Sequence, residues 1–400
     1  MGKLASIASL EKEEKAAARA SQPPAKVKRK GPNRMLLYQL AQKKMGSPKK
    51  EIPAPVAKQE TFSLVVGNSL AAGTKLERLA YLPVPEPSPV GEWYPQMKAA
   101  VTFLRPMQVG TFKQIEGKGL MPSDEPPPKI SLEGLVGADL NRDFDPNNDP
   151  DADKKNDDGT LELQASLKHF KFDLAEQNID FITYRNNLNK IMATPFIKSH
   201  WAMKVHRRGR TIHLEVLVVD ERVDEFHLRM KHWGRQFEAL CVKRPAADKV
   251  GHIVTLKSKL NNNIILTGAE IDACRDGGSF VGIKTCKKAV TEKDKFFFKK
   301  NKLLRYWVQS YLAGVPDIAV GFRDDGGTVT GVECFETLKI PHLASQAANN
   351  GKLLWDMRVC LNFTDQVLSF LKQTVVDGQS YELKFCDPWN RLILTAMPST

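Results

Sequence analysis

Three glycine-bearing turns constrain this chain more than any other feature: Arg207-Arg208-Gly209, Asp276-Gly277-Gly278 and Asp324-Asp325-Gly326-Gly327. Each is flanked by runs rich in β-branched and aromatic residues, and glycine supplies the positive φ that tight hairpin turns need. Trp201–Val205 with Thr211–Val219 therefore reads as one hairpin. Ile264–Asp272 with Ser279–Thr285 reads as a second, and Ile318–Arg323 with Thr328–Leu338 as a third. Segments of helical periodicity alternate with them: Leu161–Asn178, Tyr184–Ala193 stopped near Pro195, Arg222–Met230, Lys300–Leu312 and Leu354–Thr374. Hairpins alternating with helices imply an α/β (α+β) fold of mixed, largely antiparallel sheets flanked by helices. One domain over residues 61–400 is long enough to bury a sizeable core. No internal repeat is visible.

Residues 1–60 read as an extension outside that domain. They are rich in Ala, Lys, Ser and Pro, poor in aromatics, with short helical patterns at Leu10–Arg19 and Met35–Lys44. Residues 1–50 hold 13 Lys/Arg against Glu11, Glu13 and Glu14, a net +10 of the +13 carried by the whole chain. The tail is thus basic and the body nearly neutral. That charge suits nucleic acid, an acidic protein or an anionic surface. The run Pro23-Pro24-Ala25-Lys26-Val27-Lys28-Arg29-Lys30 fits a nuclear localisation signal, a phosphate-binding arm or an inert solvated tail equally well. Strand patterning begins at Phe62–Val66, and Pro83, Pro85, Pro87, Pro89 and Pro126–Pro128 mark loops or edges. The alternating Asp149, Asp151 and Asp153 resemble a calcium loop, but its required glycine is Lys154, so a solvated loop is expected.

No run approaches the roughly 20 apolar residues that span a bilayer, and no N-terminal apolar h-region occurs. The expected location is intracellular, nuclear or cytoplasmic, and not secreted. The six cysteines stand singly, without CxxC or zinc spacing, and read as free thiols in a reducing compartment.

The residues that carry chemistry cluster around the second hairpin. Glu270 and Asp272, two apart on one expected strand, share a face. Lys284 follows on the next strand and Gln309 on the next helix. Two carboxylates with a lysine opposite suit a hard divalent cation, Mg²⁺ or Mn²⁺, and a phosphate. The same spacing also describes an ordinary solvated sheet face.

The wider pattern resembles the decapping exoribonuclease (DXO) family, whose fold belongs to the PD-(D/E)XK nuclease superfamily. Phe181-Ile182-Thr183-Tyr184-Arg185 with Leu188, Lys190 and Thr194-Pro195-Phe196 is similar to the family's arginine motif. Gly234-Arg235-Gln236-Phe237-Glu238 resembles its glycine-to-glutamate motif, Gly268-Ala269-Glu270-Ile271-Asp272 its Glu-x-Asp strand, and Ile283-Lys284-Thr285 the end of its Glu-x-Lys strand. Trp307–Leu312, Gly314-Val315-Pro316 and Gly321-Phe322-Arg323 resemble the helix and hairpin that follow. These matches keep their order over residues 180–325, and residues 1–60 have no counterpart.

The resemblance implies metal-dependent hydrolysis of non-canonical (for example NAD) or incomplete RNA 5′ caps, with 5′–3′ exoribonuclease activity. It makes Glu238, Glu270, Asp272 and the backbone carbonyl of Ile283 metal ligands. It gives Lys284 and Gln309 the positioning of water and scissile phosphate, with Glu270 in the catalytic group. Arg185 would bind RNA phosphate or orient the acids. One departure bears on all of this: the glutamate expected two before Lys284 is Gly282, which cannot bind a metal. Arg235 likewise replaces an apolar or aromatic residue. Glu270 or Asp276 is a candidate to stand in for the missing acid. The alternatives are a catalytically weak or inactive relative that binds RNA or a protein, or a scaffold subunit of a ribonucleoprotein, with the basic tail as anchor.

Other candidates have plainer readings. His227 and His232 share no clean helical face, and His206 and His213 flank a turn. Trp307 and Tyr311 lie one helical turn apart and read as core. Lys287-Lys288 and Lys295–Lys302 with Phe296-Phe297-Phe298 read either as a single-stranded RNA surface or as a connector over a buried Phe cluster.

Overall fold

The structure, a computed structural model, describes residues 79–85, 101–115, 118–147, 159–217, 224–245, 250–345 and 353–398. The chain divides into Met1–Thr61 and Phe62–Thr400, and every described residue belongs to the second unit. The basic extension, the Phe62–Val66 strand and the Asp149–Asp153 run lie outside the described residues.

Fourteen strands among the described residues form two sheets. The larger follows the order β1 (Leu79–Pro83), β14 (Arg391–Ala396), β13 (Ser380–Phe385), β5 (Trp201–Arg208), β6 (Thr211–Leu217), β4 (Phe181–Tyr184), β8 (Asn263–Glu270), β7 (Gly251–Leu260), β2 (Phe103–Ile115) and β3 (Gly119–Pro122). The smaller runs β12 (Val329–Glu336), β11 (Asp317–Arg323), β10 (Phe280–Lys287) and β9 (Ala273–Cys274). Pairing is antiparallel except β4 with β6, β4 with β8, and β10 with β11. The expected mixed, largely antiparallel arrangement is therefore what forms.

Strand β4 shows why its sequence reads as one apolar run. It is central and covered on both faces, as parallel-paired strands usually are. Phe181 faces the largest core cluster, with Leu188, Trp307 and Phe363, whereas Ile182 faces a second cluster with Phe112, Leu163 and Leu266. The helices supply the covers. They are α1 (Gly159–Leu167), α2 (Arg185–Ala193), α3 (Glu225–Cys241), α4 (Glu292–Phe297), α5 (Leu303–Leu312), α6 (Ile340–Ser345) and α7 (Met357–Thr374). Helices α2, α5 and α7 bury apolar faces in the first cluster; α1 covers the second. Trp307 is fully buried and stacks on both Tyr311 and Trp355, with centroids 5.1 and 5.4 Å apart. All six cysteines are free. No described helix is long and apolar enough to cross a membrane.

Several boundaries differ from expectation, each for a local reason. Helix α1 stops at Leu167, not Asn178. Lys171 takes a left-handed φ of 52°, and Asp173 Oδ1 then accepts the amides of Ala175 and Glu176, a side-chain substitute for helix bonds. Helix α3 starts on the Asp224 cap and runs to Cys241, well past Met230. Trp233, Phe237 and Cys241, spaced by four, all bury in a third cluster with Ile283 and Val329, which outweighs the roughly 1 kcal/mol cost of Gly234. The second hairpin is not β8 with β10. Strand β8 ends at Glu270 within the large sheet, and the Gly277-Gly278 turn joins β9 to β10 in the small one. Glu270 and Asp272 therefore do not share one strand face. Asp272 lies in the two-residue link where the chain passes from one sheet to the other.

Candidate active site

That link makes the site. Asp272 Oδ2 accepts the Ile283 amide at 2.7 Å and Lys284 Nζ at 2.9 Å. Lys284 Nζ also donates to the Ile283 carbonyl at 2.8 Å. Two groups of β10, the Ile283 amide and the Lys284 ammonium, are thereby fastened to the acid at the sheet junction. Arg185, Glu270, Asp272, Gly282, Lys284 and Gln309 line one narrow cleft. Five of the seven expected site residues thus converge there. The sixth, Ile283, presents its carbonyl to Lys284. The seventh, Glu238 on α3, lies just behind and feels the charges of Asp272 and Glu270.

The electrostatics follow from crowding three carboxylates at a partly buried seam. Burial pushes the Glu238 carboxyl up, the neighbouring Asp272 and Glu270 push it further, and Lys284 and Arg244 offset only part, leaving it at about 7. Burial also works to raise Asp272, but the Lys284 charge, the Ile283 amide and Arg185 outweigh it and hold the acid below its ordinary range. Arg185, the first residue of α2, is 8% exposed. Burial lowers the pKa of its guanidinium, and Asp272 and Glu270 work against that. A buried cation under two acids orients them and offsets their repulsion.

Of two further contributors, Arg244 had no signal in the motif pattern and Ser310 lay in the Trp307–Leu312 motif without an assigned role. Arg244, just past the end of α3, donates to Glu238 Oε1 at 3.2 Å and to the Val250 carbonyl at 3.1 Å. Ser310 stands beside Gln309, and its Oγ is 3.6 Å from where a Cβ at Gly282 would project. Asp276 does not stand in for the missing acid. It is exposed on the β9–β10 turn and pairs with Lys129 at 2.8 Å, because a tight glycine turn projects it into solvent.

Divalent-cation chemistry can be tested against these residues. The donors are all hard oxygens, as Mg²⁺ and Mn²⁺ prefer. The mutual repulsion that lifts Glu238 is what a cation would relieve. Glu238, Glu270 and Asp272 share charge across one seam, but their oxygens are not gathered within 4.8 Å of one another, so their chemistry, not their present spacing, suits a divalent ion. Gly282 leaves the set one carboxylate short of what a two-ion site would draw on. The one group of three His, Cys or acid residues that is so gathered among the described residues is elsewhere: His206, His213 and Glu215, buried on β5 and β6. The two imidazoles stack at 4.7 Å and 14°, and one nitrogen of each lies within 4.8 Å of the other and of a Glu215 oxygen. Thr160 of α1 donates to Glu215, and the group reads as a polar tie between α1 and the sheet. His227 caps onto Asp224, and His232 bonds the Arg142 carbonyl.

Residues 105–399 match the family described as RAI1 like PD-(D/E)XK nuclease. The decapping and exoribonuclease protein of Xenopus laevis is 29% identical over 221 residues, 49% of this chain and 54% of that protein. The decapping nuclease RAI1 of Aspergillus fumigatus is 28% identical over 286 residues, 62% of this chain and 76% of the relative. The chain thus spans about half the length of the first of these. Among solved structures, S. pombe Rai1 superposes with a TM-score of 0.64 at 21% identity, covering 80% of this chain and 100% of that one. Candida albicans Rai1 in complex with pU5-Mn²⁺ gives 0.63 at 18% identity, covering 80% and 93%. These likenesses extend to the fold.

Proposed function

The chain belongs to the RAI1-like PD-(D/E)XK nuclease family, and from that premise we propose that it processes RNA 5′ ends. The reaction is metal-dependent hydrolysis of non-canonical (for example NAD) or incomplete caps, with 5′–3′ exonucleolytic removal of the exposed RNA. The supporting observation is the junction itself: Asp272, tied to Lys284 and the Ile283 amide, beside Glu270, Gln309 and the charge-stressed Glu238. Relatives with this family's sequence are named decapping nucleases, and one solved relative carries manganese and pU5.

Glu238, Glu270 and Asp272 would hold Mg²⁺ or Mn²⁺, which supplies charge neutralisation at phosphate and a more acidic water. Lys284 donates toward the scissile phosphate from its anchor on Asp272, and Gln309 orients water and phosphate across the cleft. Arg185, largely buried in the wall of the same cleft, orients the acids or pairs with RNA phosphate. The Ile283 carbonyl serves as a ligand only by sharing with Lys284. The protein acts inside the cell, nuclear or cytoplasmic, with residues 1–60 as a basic anchor for RNA or a ribonucleoprotein partner.

Gly282 favours a second reading, a protein that binds RNA ends without cutting them. One assay separates the two. Purified protein with Mn²⁺ is incubated with NAD-capped, triphosphate and monophosphate RNAs beside Asp272→Ala. Cleavage above that control supports the enzyme. Binding with no cleavage above it on any substrate leaves the second reading.

A further inference from the structure

The helical stretch between β10 and α5 carries Phe296-Phe297-Phe298 among lysines. Helix α4 starts on a capping box formed by Thr291 and Asp294, and a π-helical turn, Phe298–Lys302, separates it from α5. A π turn shifts the side-chain register by a residue. Here it splits the three phenylalanines. Phe298 turns inward, its ring 5.7 Å from Phe322 and 6.1 Å from Phe335. Phe296 and Phe297 stay outside, 45% and 56% exposed, with Val290 nearby at 71%. The buried cluster therefore accounts for one ring of the three.

The charge around the two exposed rings is one-sided. Lys287 pairs with Asp325 and Lys295 with Glu292. Lys288, Lys293, Lys299 and Lys300 form no ion pair among the described residues, and Lys300 Nζ lies 5.9 Å from the Phe296 ring centre. Adjacent exposed aromatic rings are uncommon on a soluble surface and mark a contact site. A protein interface would deplete lysine. Aromatic faces beside unpaired ammonium groups are instead what a flexible polyanion with stacking bases requires.

We propose that this face binds single-stranded RNA, with Phe296 and Phe297 stacking on bases and Lys288, Lys293, Lys299 and Lys300 pairing with phosphates. The choice of RNA rests on the proposed function, since the same helical run continues into α5 and Gln309. The experiment reads binding without cleavage, so the two readings fail separately.

The full chain in EDTA is titrated into a labelled oligouridylate of about 20 nucleotides, by anisotropy, over a range of salt. Phe296→Ala/Phe297→Ala should bind about tenfold or more weakly, while Phe296→Tyr/Phe297→Tyr, which keeps the stacking faces, should bind like the wild type. Lys299→Ala/Lys300→Ala should flatten the salt dependence by about 0.7 in log–log slope for each lysine that pairs with phosphate. All these sites are exposed, so thermal unfolding serves as a folding control. Absence of binding by the wild type, or an alanine variant within twofold of it with an unchanged salt slope, overturns the proposal and leaves the patch to a protein partner. Wild-type protein that cleaves nothing yet shows these differences would retain the surface and lose the enzyme reading.

Discussion

Lys284 Nζ donates to Asp272 Oδ2 at 2.9 Å and to the Ile283 carbonyl at 2.8 Å, so one ammonium ties the acid between the sheets to strand β10. Both side chains are largely buried, at 22% and 11% exposure. Removing one partner of such a pair strands the other charge, at a cost of about 3 kcal/mol. Lys284→Met is expected to lower stability by that order and to raise the Asp272 pKa. Because the folded state holds Asp272 below its ordinary range, the wild-type stabilisation is present above the ordinary carboxylate pKa of about 4. It disappears as pH falls through the lower folded value. Denaturant titrations from pH 3 to 7 should show that acid-side loss in the wild type and a shallower one in Asp272→Asn. Equal acid limbs in the two proteins would refute the coupling.

Glu238 responds in the opposite direction. Its folded pKa of about 7 lies above the ordinary 4.5, so between those values the native protein keeps a proton that the unfolded chain releases. Metal-free stability should fall as pH rises from about 4.5 to about 7 and level off above it. Glu238→Gln removes the penalty and should be the more stable protein at pH 8 in EDTA. The expected gain is about 1–2 kcal/mol after discounting for partial exposure. At pH 4.5 the two should nearly coincide. A gain independent of pH would mean that packing, not charge, is responsible.

The resemblance picked out Arg185, Glu270, Asp272, Lys284 and Gln309, which line one cleft, whereas spacing alone fitted an ordinary solvated sheet face as well. Their arrangement was not legible in the sequence. Spacing by two suggested one strand face for Glu270 and Asp272, but the chain changes sheets between them, a tertiary event with no local signature. The long reach of α3 was hidden because Gly234 interrupts an otherwise helical pattern, and only burial of Trp233 and Phe237 overrides it. Arg244 was invisible for a similar reason: its partner is decided by where α3 ends. The first and third turns made the hairpins expected of them, and the second, at Gly277-Gly278, joined β10 to a different first strand, β9.

The gap left by Gly282 can be filled. A Cβ there would meet Ser310 Oγ at 3.6 Å and Ile318 at 3.8 Å, ordinary contact distances. Gly282→Glu therefore adds a carboxylate to the cleft without backbone collision. Without metal the added charge should destabilise the protein by about 1–2 kcal/mol. With Mn²⁺ in excess the loss should reverse, because binding to the native state alone stabilises it in proportion to affinity. Thermal unfolding with and without Mn²⁺ reads both signs, and cleavage of 5′-capped RNA should rise with the metal-dependent shift. If neither the shift nor the rate changes, position 282 does not face the ion.

Gly321, on the small sheet, lies against Phe237 of the helix that carries Glu238. A Cβ at this position would run into the ring of Phe237, which is fully buried one residue before Glu238. Neither the ring nor the strand has room to yield, since Phe237 packs in the cluster that holds α3 to β10. Gly321→Ala is therefore expected to cost about 1–3 kcal/mol by overpacking, more than a surface Gly→Ala change, and to displace α3 where it presents Glu238. The readouts are a lowered denaturation midpoint with unchanged m-value and weakened Mn²⁺ binding, although no metal donor has been altered. The double variant Gly321→Ala/Phe237→Leu, which frees space for the new methyl, should recover part of both. Failure of that rescue, with the single variant as stable as the wild type, would show that α3 is not wedged against β11 as the structure has it.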